Sequence, residues 1–504
     1  QWRAEYLDWY VAHSSLMADM LPVANTQLGP GSLAAILGGV FEGGEDTIWI
    51  HPDPNFNDEI VFNPEHPNWL LHKELLKACK AKANGNYFVG MPDLMEGLDV
   101  LAALKGTDMV LLDTVMQPEV LEQQMQQIND IYFKVFDELY DIIREGDEMA
   151  FCYFSSWAPG KMSKLQSDIS TMISQDDYRR FVQPFIREQC QKIDYTLYHL
   201  DGVGAMHHLP ALLEIEELNA IQWTPGVGEP QGGSPKWYDL YKKILAGGKS
   251  VMACWVTLEE LKTLLDHIGA DGVHLEMDFH NEREVEQAMR IIEEYTGSSL
   301  SVSADVHTNQ PVGEQDNAQE SIRIREEKSQ EEDRLKPLYD AIVAGKLELA
   351  VEVTKDAIAA GVLPQDIING YMITAMGEVG QRFQDGKAFV PQLLMAGRAM
   401  KGALELLKPL LAGNASATIG KIVIGTVKGD LHDIGKNLVA SMLEGCGFEV
   451  INIGIDVTCD KFVEAVKENK ADILCMSALL TTTMTYMQDV IRALEEAGIR
   501  DQGK

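Results

Sequence analysis

Cysteine is scarce and scattered: the seven residues Cys79, Cys152, Cys190, Cys254, Cys446, Cys459 and Cys475 include no CxxC pair. An odd, dispersed set of this kind gives neither a disulfide framework nor a zinc knuckle. Long apolar runs are missing too, none approaching the ~20 residues of a membrane span. With no signal-like apolar segment, the cytoplasm is the expected compartment. Positive charge is also in short supply, with 42 Lys and Arg against 77 Asp and Glu and a formal net charge of −35. Such a surface repels phosphate backbones and anionic lipid alike, so neither nucleic acid nor membrane is an expected partner.

What is present suffices for two or three domains: 504 residues, 46% of them apolar. The composition turns polar over residues 298–333, which read as a linker ending in a charged stretch able to open a helix. Before it, in residues 1–297, short β-rich runs alternate with amphipathic ones: MVLLD (109–113), EMAFCYF (148–154), YTLYHLD (195–201), AIQWTPG (220–226), SVMACW (250–255) and GVHLEM (272–277). Repeated βα units of this number favour a (β/α)8 TIM barrel, whose chemistry sits at the C-terminal strand ends. That draws attention to His199, Asp201, Trp223, Trp255 and Glu276. His51 and His207-His208 read as loop polarity, and the two tryptophans as packing. Residues 334–415 are helical in pattern, and 416–504 alternate strand and helix as a doubly wound, Rossmann-like (flavodoxin-like) domain.

The stretch KGDLHDIGKN (428–437) begins where the strand KIVIGTV ends. This is the edge where doubly wound sheets bind ligands, and Gly429 and Gly435 permit a tight turn and close approach. A metal-ligating histidine uses a neutral ring nitrogen, and a carboxylate on its other N–H fixes the tautomer. Asp430 is placed to do this for His432. On D-x-H alone, a polar loop with a capping aspartate is the simpler reading.

More than D-x-H is present. DLHDIG (430–435) and Ser477-Ala478-Leu479 resemble the D-x-H-x-x-G and S-x-L signatures of cobalamin-binding domains, at a separation that looks like the family's. MGEVGQRFQDGKAFVPQLLMAGRAM resembles the helical-bundle cap of corrinoid proteins in methyl-transfer systems. The resemblance implies cobalamin as cofactor and His432 as lower axial ligand to cobalt. It also implies Ser477 beside the nucleotide tail, and a relay from His432 through Asp430 to Thr483. Gly435, Leu479 and Thr481, with Met376 and Val379 in the cap, complete the expected cofactor contacts. The family's Gly-Gly turn after a fourth strand is not reached before IRDQGK, so an incomplete C-terminal half is expected.

Residues 1–297 resemble the uroporphyrinogen decarboxylase superfamily through QLGPGSLAAILGG, GMPDLMEGLDVLAALKG, LQSDISTMIS and YHLDG, with a start that looks late for the family. That superfamily holds decarboxylases and methyltransferases that load corrinoid proteins; a corrinoid domain in the same chain selects the second branch. Zinc-using relatives carry H-x-C where this chain has His199-Leu200-Asp201. Two mechanisms stay open. In one, His199 and Asp201 bind zinc, with His274, Glu276, Asp278 or His280 as third ligand; in the other, Asp201 or Glu276 is a metal-free general acid, the reading the sequence favours slightly.

The expectation is therefore a corrinoid-dependent methyltransferase. It moves a methyl group from a small methylated donor (methoxy aromatic, methylamine, methyl thiol or methanol) to Co(I) of its own cobalamin. The expected catalytic residues are His199, Asp201 and Glu276, and the expected partner is a second methyltransferase or a reductive activase. The alternatives are a corrinoid carrier with a non-methyltransferase barrel, and an adenosylcobalamin mutase. The cap argues against the mutase, and the want of a basic DNA-binding module argues against a cobalamin sensor.

Overall fold

A computed structural model describes the chain except residues 1–4, 7, 11–20, 29–30, 44–47, 53–55, 96, 153, 155, 227, 296–327, 412–419, 431–433, 446–447, 479–480 and 501–504. The contacts divide it into two units, Gln1–Ser303 and Ala304–Lys504. The expected linker lies largely outside the described residues, and its last residues open a helix, Lys328–Val343. No described helix is long and apolar enough to cross a membrane.

The first unit holds eleven described strands: β1 (Val23–Ala24), β2 (Val40–Gly43), β3 (Ile48–His51), β4 (Phe88–Met91), β5 (Met149–Phe151), β6 (Trp157–Ala158), β7 (Met162–Leu165), β8 (Tyr195–Asp201), β9 (Ala220–Thr224), β10 (Ser250–Ala253) and β11 (Val273–Leu275). β2 and β3 form an antiparallel pair. The others make two sheets, ordered β1-β4-β5-β6 and β11-β10-β9-β8-β7. Within them β1, β4 and β5 run parallel, as do all five strands from β7 to β11, while β6 is antiparallel to β5.

These sheets do not join into a closed barrel, contrary to the sequence reading. At one seam the two-residue β6 already takes the edge of β5 that a ring would offer to β7. There the Met162 N–H donates to the Met149 sulfur, at 3.1 Å, rather than to a carbonyl. At the other seam β1 and β11 have only two and three residues to offer a ladder.

A second correction concerns MVLLD, which lies in a helix, Thr107–Met116. A run of four apolar residues suits a strand and a buried helix equally. Here Gly106, at φ 94°, breaks the chain just before Thr107, and Asp113 bonds Lys105 of the preceding helix at 2.6 Å. The helix Pro118–Ile143 is easier to understand. Proline occupies its first turn, and Leu121, Met125, Ile128, Tyr132, Val135, Phe136, Leu139 and Ile143 recur at helical spacing and are buried.

The second unit opens with helices Lys328–Val343, Leu347–Ala359, Pro364–Ile367, Ile373–Gln384 and Val390–Leu411, a π-helical turn at Ile368–Met372 joining the third to the fourth. Their core mixes Leu338, Ile342, Met372, Leu393, Met400 and Leu407 with small residues such as Ala350, Ala396 and Ala403, which let backbones approach. Gly402 marks the closest approach: a Cβ there would lie 2.3 Å from Leu347 Cδ1. A three-stranded parallel sheet follows, of β12 (Lys421–Thr426), β13 (Glu449–Asn452) and β14 (Ile473–Ser477) in the order β13-β12-β14. Central β12 is buried at Ile422, Val423 and Ile424, as an apolar strand covered on both faces should be.

Candidate functional site

In the second unit the strand ends converge on one carboxylate. After β12, Gly429 turns the chain with φ 81°, and the Asp430 N–H bonds the Val427 carbonyl at 3.1 Å. Asp430 is fully buried, and Thr483 Oγ1, from the short helix Thr481–Met484 after β14, donates to its Oδ2 at 2.7 Å. Burying a carboxylate is costly unless it is hydrogen-bonded, and this one is. Ser477 closes β14, its carbonyl accepting the Val427 N–H at 3.0 Å. Gly435 lies in the first turn of the helix Ile434–Gly445. His432, Leu479 and the side chain of Thr481 lie outside the described residues. Beyond the motif, Lys436 is buried and its Nζ bonds Asn437 Oδ1 and Asn452 Oδ1 at 2.5 and 2.9 Å.

In the first unit one atom each from Asp168, His199 and Asp201 lie within 4.8 Å of one another, the group of described side chains close enough to share a cation. His199 and Asp201 end β8; Asp168 opens the 3-10 turn Asp168–Met172 after β7. His199 Nδ1 meets Gln222 Oε1, and Gln222 Nε2 in turn donates to Thr224 Oγ1 and Cys254 Sγ, at 2.8 and 3.1 Å. That amide orientation puts the proton on Nδ1 and leaves Nε2 with its lone pair. Burial, helped by the Lys164 charge, holds His199 below the ordinary histidine value and so favours the neutral ring.

Around this group lies a buried ionic network. Lys164 pairs with Asp93 at 2.5 Å, both almost wholly buried, and also bonds Gln166, whose Nε2 reaches Asp168 Oδ2 at 3.1 Å. Asp99 accepts the backbone N–H groups of Asp168 and Ile169 at 2.8 and 3.0 Å. Burial nevertheless pushes Asp99 up to about 6. Asp168 is pushed up by desolvation and then by the Asp99 charge; its side chain meets solvent, so the neighbouring charge is the firmer cause. Three carboxylates, Asp93, Asp99 and Asp168, thus face one lysine, and Asp201 stands beside Asp168. Such an excess is relieved by protons or by a cation.

Glu276 joins indirectly. Burial and a hydrogen bond to Glu276 raise the Cys254 thiol, and Cys254 connects through Gln222 to His199. One Glu276 oxygen, Oε2, is buried with no described partner. His274 is exposed on β11 and stands outside the Asp168 group. Trp223 is buried edge-on against Trp237, with centroids 5.0 Å apart, whereas Trp255 is exposed with φ 55°. His208 is not loop polarity: it is buried, stacked on Tyr178, and bonded through Nε2 to the Ser170 carbonyl at 2.7 Å.

Comparison with known proteins bears on the second unit. B12 binding domain descriptions match residues 334–408 and 420–504. Trimethylamine corrinoid protein 1 of Methanosarcina acetivorans is 46% identical over 167 residues, which are 33% of this chain and 77% of that protein. The chain belongs to the corrinoid proteins. The dimethylamine corrinoid protein of Methanosarcina barkeri is 43% identical over 174 residues, or 34% of this chain and 81% of its own. The structure of the methanol:cobalamin methyltransferase complex from the same organism aligns at 34% identity and a TM-score of 0.31, over 36% of this chain and 71% of that one.

The corrinoid unit binds cobalamin, and its strand edge fits the group: a buried, hydroxyl-bonded Asp430 stands two residues before His432 in a turn that Gly429 makes possible. Met376 and Val379 belong to the internal core of the cap, packed with Met372 and Ala375, while Ile373, Gly377 and Gly380 face outward on the same helix. Asp168, Asp93, Asp99, Lys164 and Gln222 were not singled out as site residues by the sequence reading. A signal existed for Asp168: the polar SDIS directly after β7, the position where such sheets carry chemistry.

Proposed function

We propose that this corrinoid protein is a methyltransferase in its own right, taking a methyl group from a small methylated donor bound in the first unit to cobalamin in the second. The carrying observation is the gathering of Asp168, His199 and Asp201 at adjacent strand ends, in a chain whose other unit is a corrinoid module. The resemblance of residues 1–297 to the methyltransferase branch of the uroporphyrinogen decarboxylase superfamily supports it. So does the parallel run of β7 and β8 in the first unit's described five-stranded sheet, which sets the residues that follow them side by side. The domain limits we adopt are 1–297, 298–333, 334–415 and 416–504.

Reduced cobalamin supplies a cobalt nucleophile for the methyl carbon. The chain's residues do the rest. Asp430, held by Thr483, would accept the N–H of His432, the residue that would hold the cobalt of the bound cofactor. In the first unit the donor's heteroatom must be made a better leaving group. Asp168 and Asp201 can hold the proton it takes, with His199 fixed and neutral beside them. His199 Nε2 with the two carboxylates also fits a divalent cation such as zinc, which would supply Lewis acidity toward the same heteroatom. A second methyltransferase would be the partner that accepts the methyl group, and a reductive activase the one that keeps the cofactor reduced.

The test uses the full chain loaded with cobalamin and reduced to Co(I). Addition of methanol, methylamines, methyl thiol or methoxybenzenes should convert the visible spectrum with at least one donor. Asp201→Ala should lose that conversion by more than about a hundredfold, the scale of acid–base or metal-site loss, while methyl iodide still converts it. Retained donor activity in Asp201→Ala would sink the site. Metal analysis of parent and variant separates the two modes of activation.

A further inference from the structure

The loop that follows β13 makes contacts which the D-x-H-x-x-G and S-x-L signatures do not describe. Past Asn452 it stays zipped to the C-terminal end of β12. The Ile453 N–H reaches the Ile424 carbonyl at 2.9 Å, the Thr426 N–H the Gly454 carbonyl at 3.0 Å, and the Val457 N–H the Thr426 carbonyl at 2.9 Å. One residue then crosses over twice. The Asp456 N–H donates to the Asp430 carbonyl at 3.2 Å, and Asp456 Oδ1 accepts the Gly429 N–H at 2.8 Å.

The backbone of Asp456 is left-handed, at φ 50°. That conformation disfavours most side chains, and aspartate and asparagine tolerate it best after glycine. Positive φ also marks its partner Gly429, at 81°. The two bonds therefore hold together turns that neither strand ladder would fix, one acting on the peptide unit before Gly429 and the other on the peptide unit after Asp430. The carboxylate of Asp430 has little freedom left once its own backbone is pinned from the β13 loop and its Oδ2 is held by Thr483 from the β14 side.

We propose that Asp456 is a positioning residue for the lower face of the cobalamin site, aiming the Asp430 carboxylate, and through it the axial histidine, by clamping Gly429 and Asp430. The proposal rests on the reading of His432 as lower ligand and is independent of the methyl donor. The Asp456 side chain is exposed, so its effect falls on geometry more than on the stability of the fold.

Three variants of the full chain, each loaded with aquocobalamin at one pH, test it through the visible spectrum, which distinguishes histidine-ligated from water-ligated cobalt. Asp456→Gly keeps the left-handed backbone and removes only the acceptor. Its histidine-on to histidine-off ratio should fall on the order of two- to tenfold, the effect of one lost hydrogen bond. Asp456→Asn keeps an acceptor oxygen and should stay close to the parent. His432→Ala should be fully histidine-off. A parent-like spectrum for Asp456→Gly at full cobalamin occupancy, with His432→Ala histidine-off, overturns the role of Asp456 alone. A fall in Asp456→Asn as large as in Asp456→Gly overturns it too. An unchanged spectrum in His432→Ala overturns the ligand reading on which it rests.

Discussion

The two units solve the placement of buried charge at strand ends in opposite ways. The corrinoid unit buries one carboxylate there, Asp430, and surrounds it with neutral donors and backbone bonds from three neighbouring loops. The first unit crowds Asp93, Asp99 and Asp168 around Lys164, sets Asp201 beside them, and leaves the balance unsettled. A single satisfied carboxylate makes a rigid platform for one fixed ligand. An unsettled excess of negative charge suits a place where protons or cations come and go, which is what donor activation requires.

Removing the one counter-charge should break that contrast most sharply. Lys164→Met leaves Asp93 buried without its partner, and losses of this kind run to about 3–5 kcal/mol. Urea unfolding followed by first-unit tryptophan fluorescence should show it, with cobalamin loading unaffected. A loss under about 1 kcal/mol would mean the pair is not load-sharing in the way its burial implies. In the other unit, Thr483→Val removes the described hydroxyl donor to Asp430, and a hydrogen bond to a charged group contributes roughly 1.5–3 kcal/mol. The apo protein should lose that much stability in its second transition, and none in its first.

The smallest effect is one of pH. Asp99 is raised to about 6 in the folded chain, above an unfolded value of about 4. Its protonated form is thus the one the fold prefers, so its contribution to stability is complete below about pH 4 and is lost as pH rises through about 6. Asp99→Asn cannot ionise. Its stability relative to the parent should climb between pH 4 and 7, and parallel curves in urea titrations across that range would contradict the assignment.

Legibility in the sequence followed the same divide. The corrinoid half was readable because its signals are local: KIVIGTV is a contiguous apolar strand, and the glycine, acid and hydroxyl residues of its turns stand at short spacings. β12, β13 and β14 fall where the pattern put them. In the first half, β7 reads MSKL, with a serine and a lysine that look solvent-facing and are buried, because their partners Tyr132 and Asp93 are distant in the chain. Strand β7 does not read as a strand for that reason, and the short β1 and β4 are not read as strands either, while MVLLD, apolar yet helical, reads as one. His199 and Asp201 could be named from their place at the end of YTLYHLD. Asp168 required knowing that β7 lies beside β8.

The seam between β5 and β7 has a mechanical consequence. A backbone ladder fixes the spacing of two strands to the pleat, but here a thioether contact and the Asp93–Lys164 pair stand in its place. A lysine side chain has several rotatable bonds and can keep its ion pair while the strands slide or part slightly. Asp168, His199, Asp201, Gln222, Cys254 and Glu276 all ride on the five-stranded sheet or the turns leaving it, on one side of that joint. The pair is almost wholly buried, so bulk salt screens it little, and the join between the two sheets rests on a few side chains where a barrel would have a ladder.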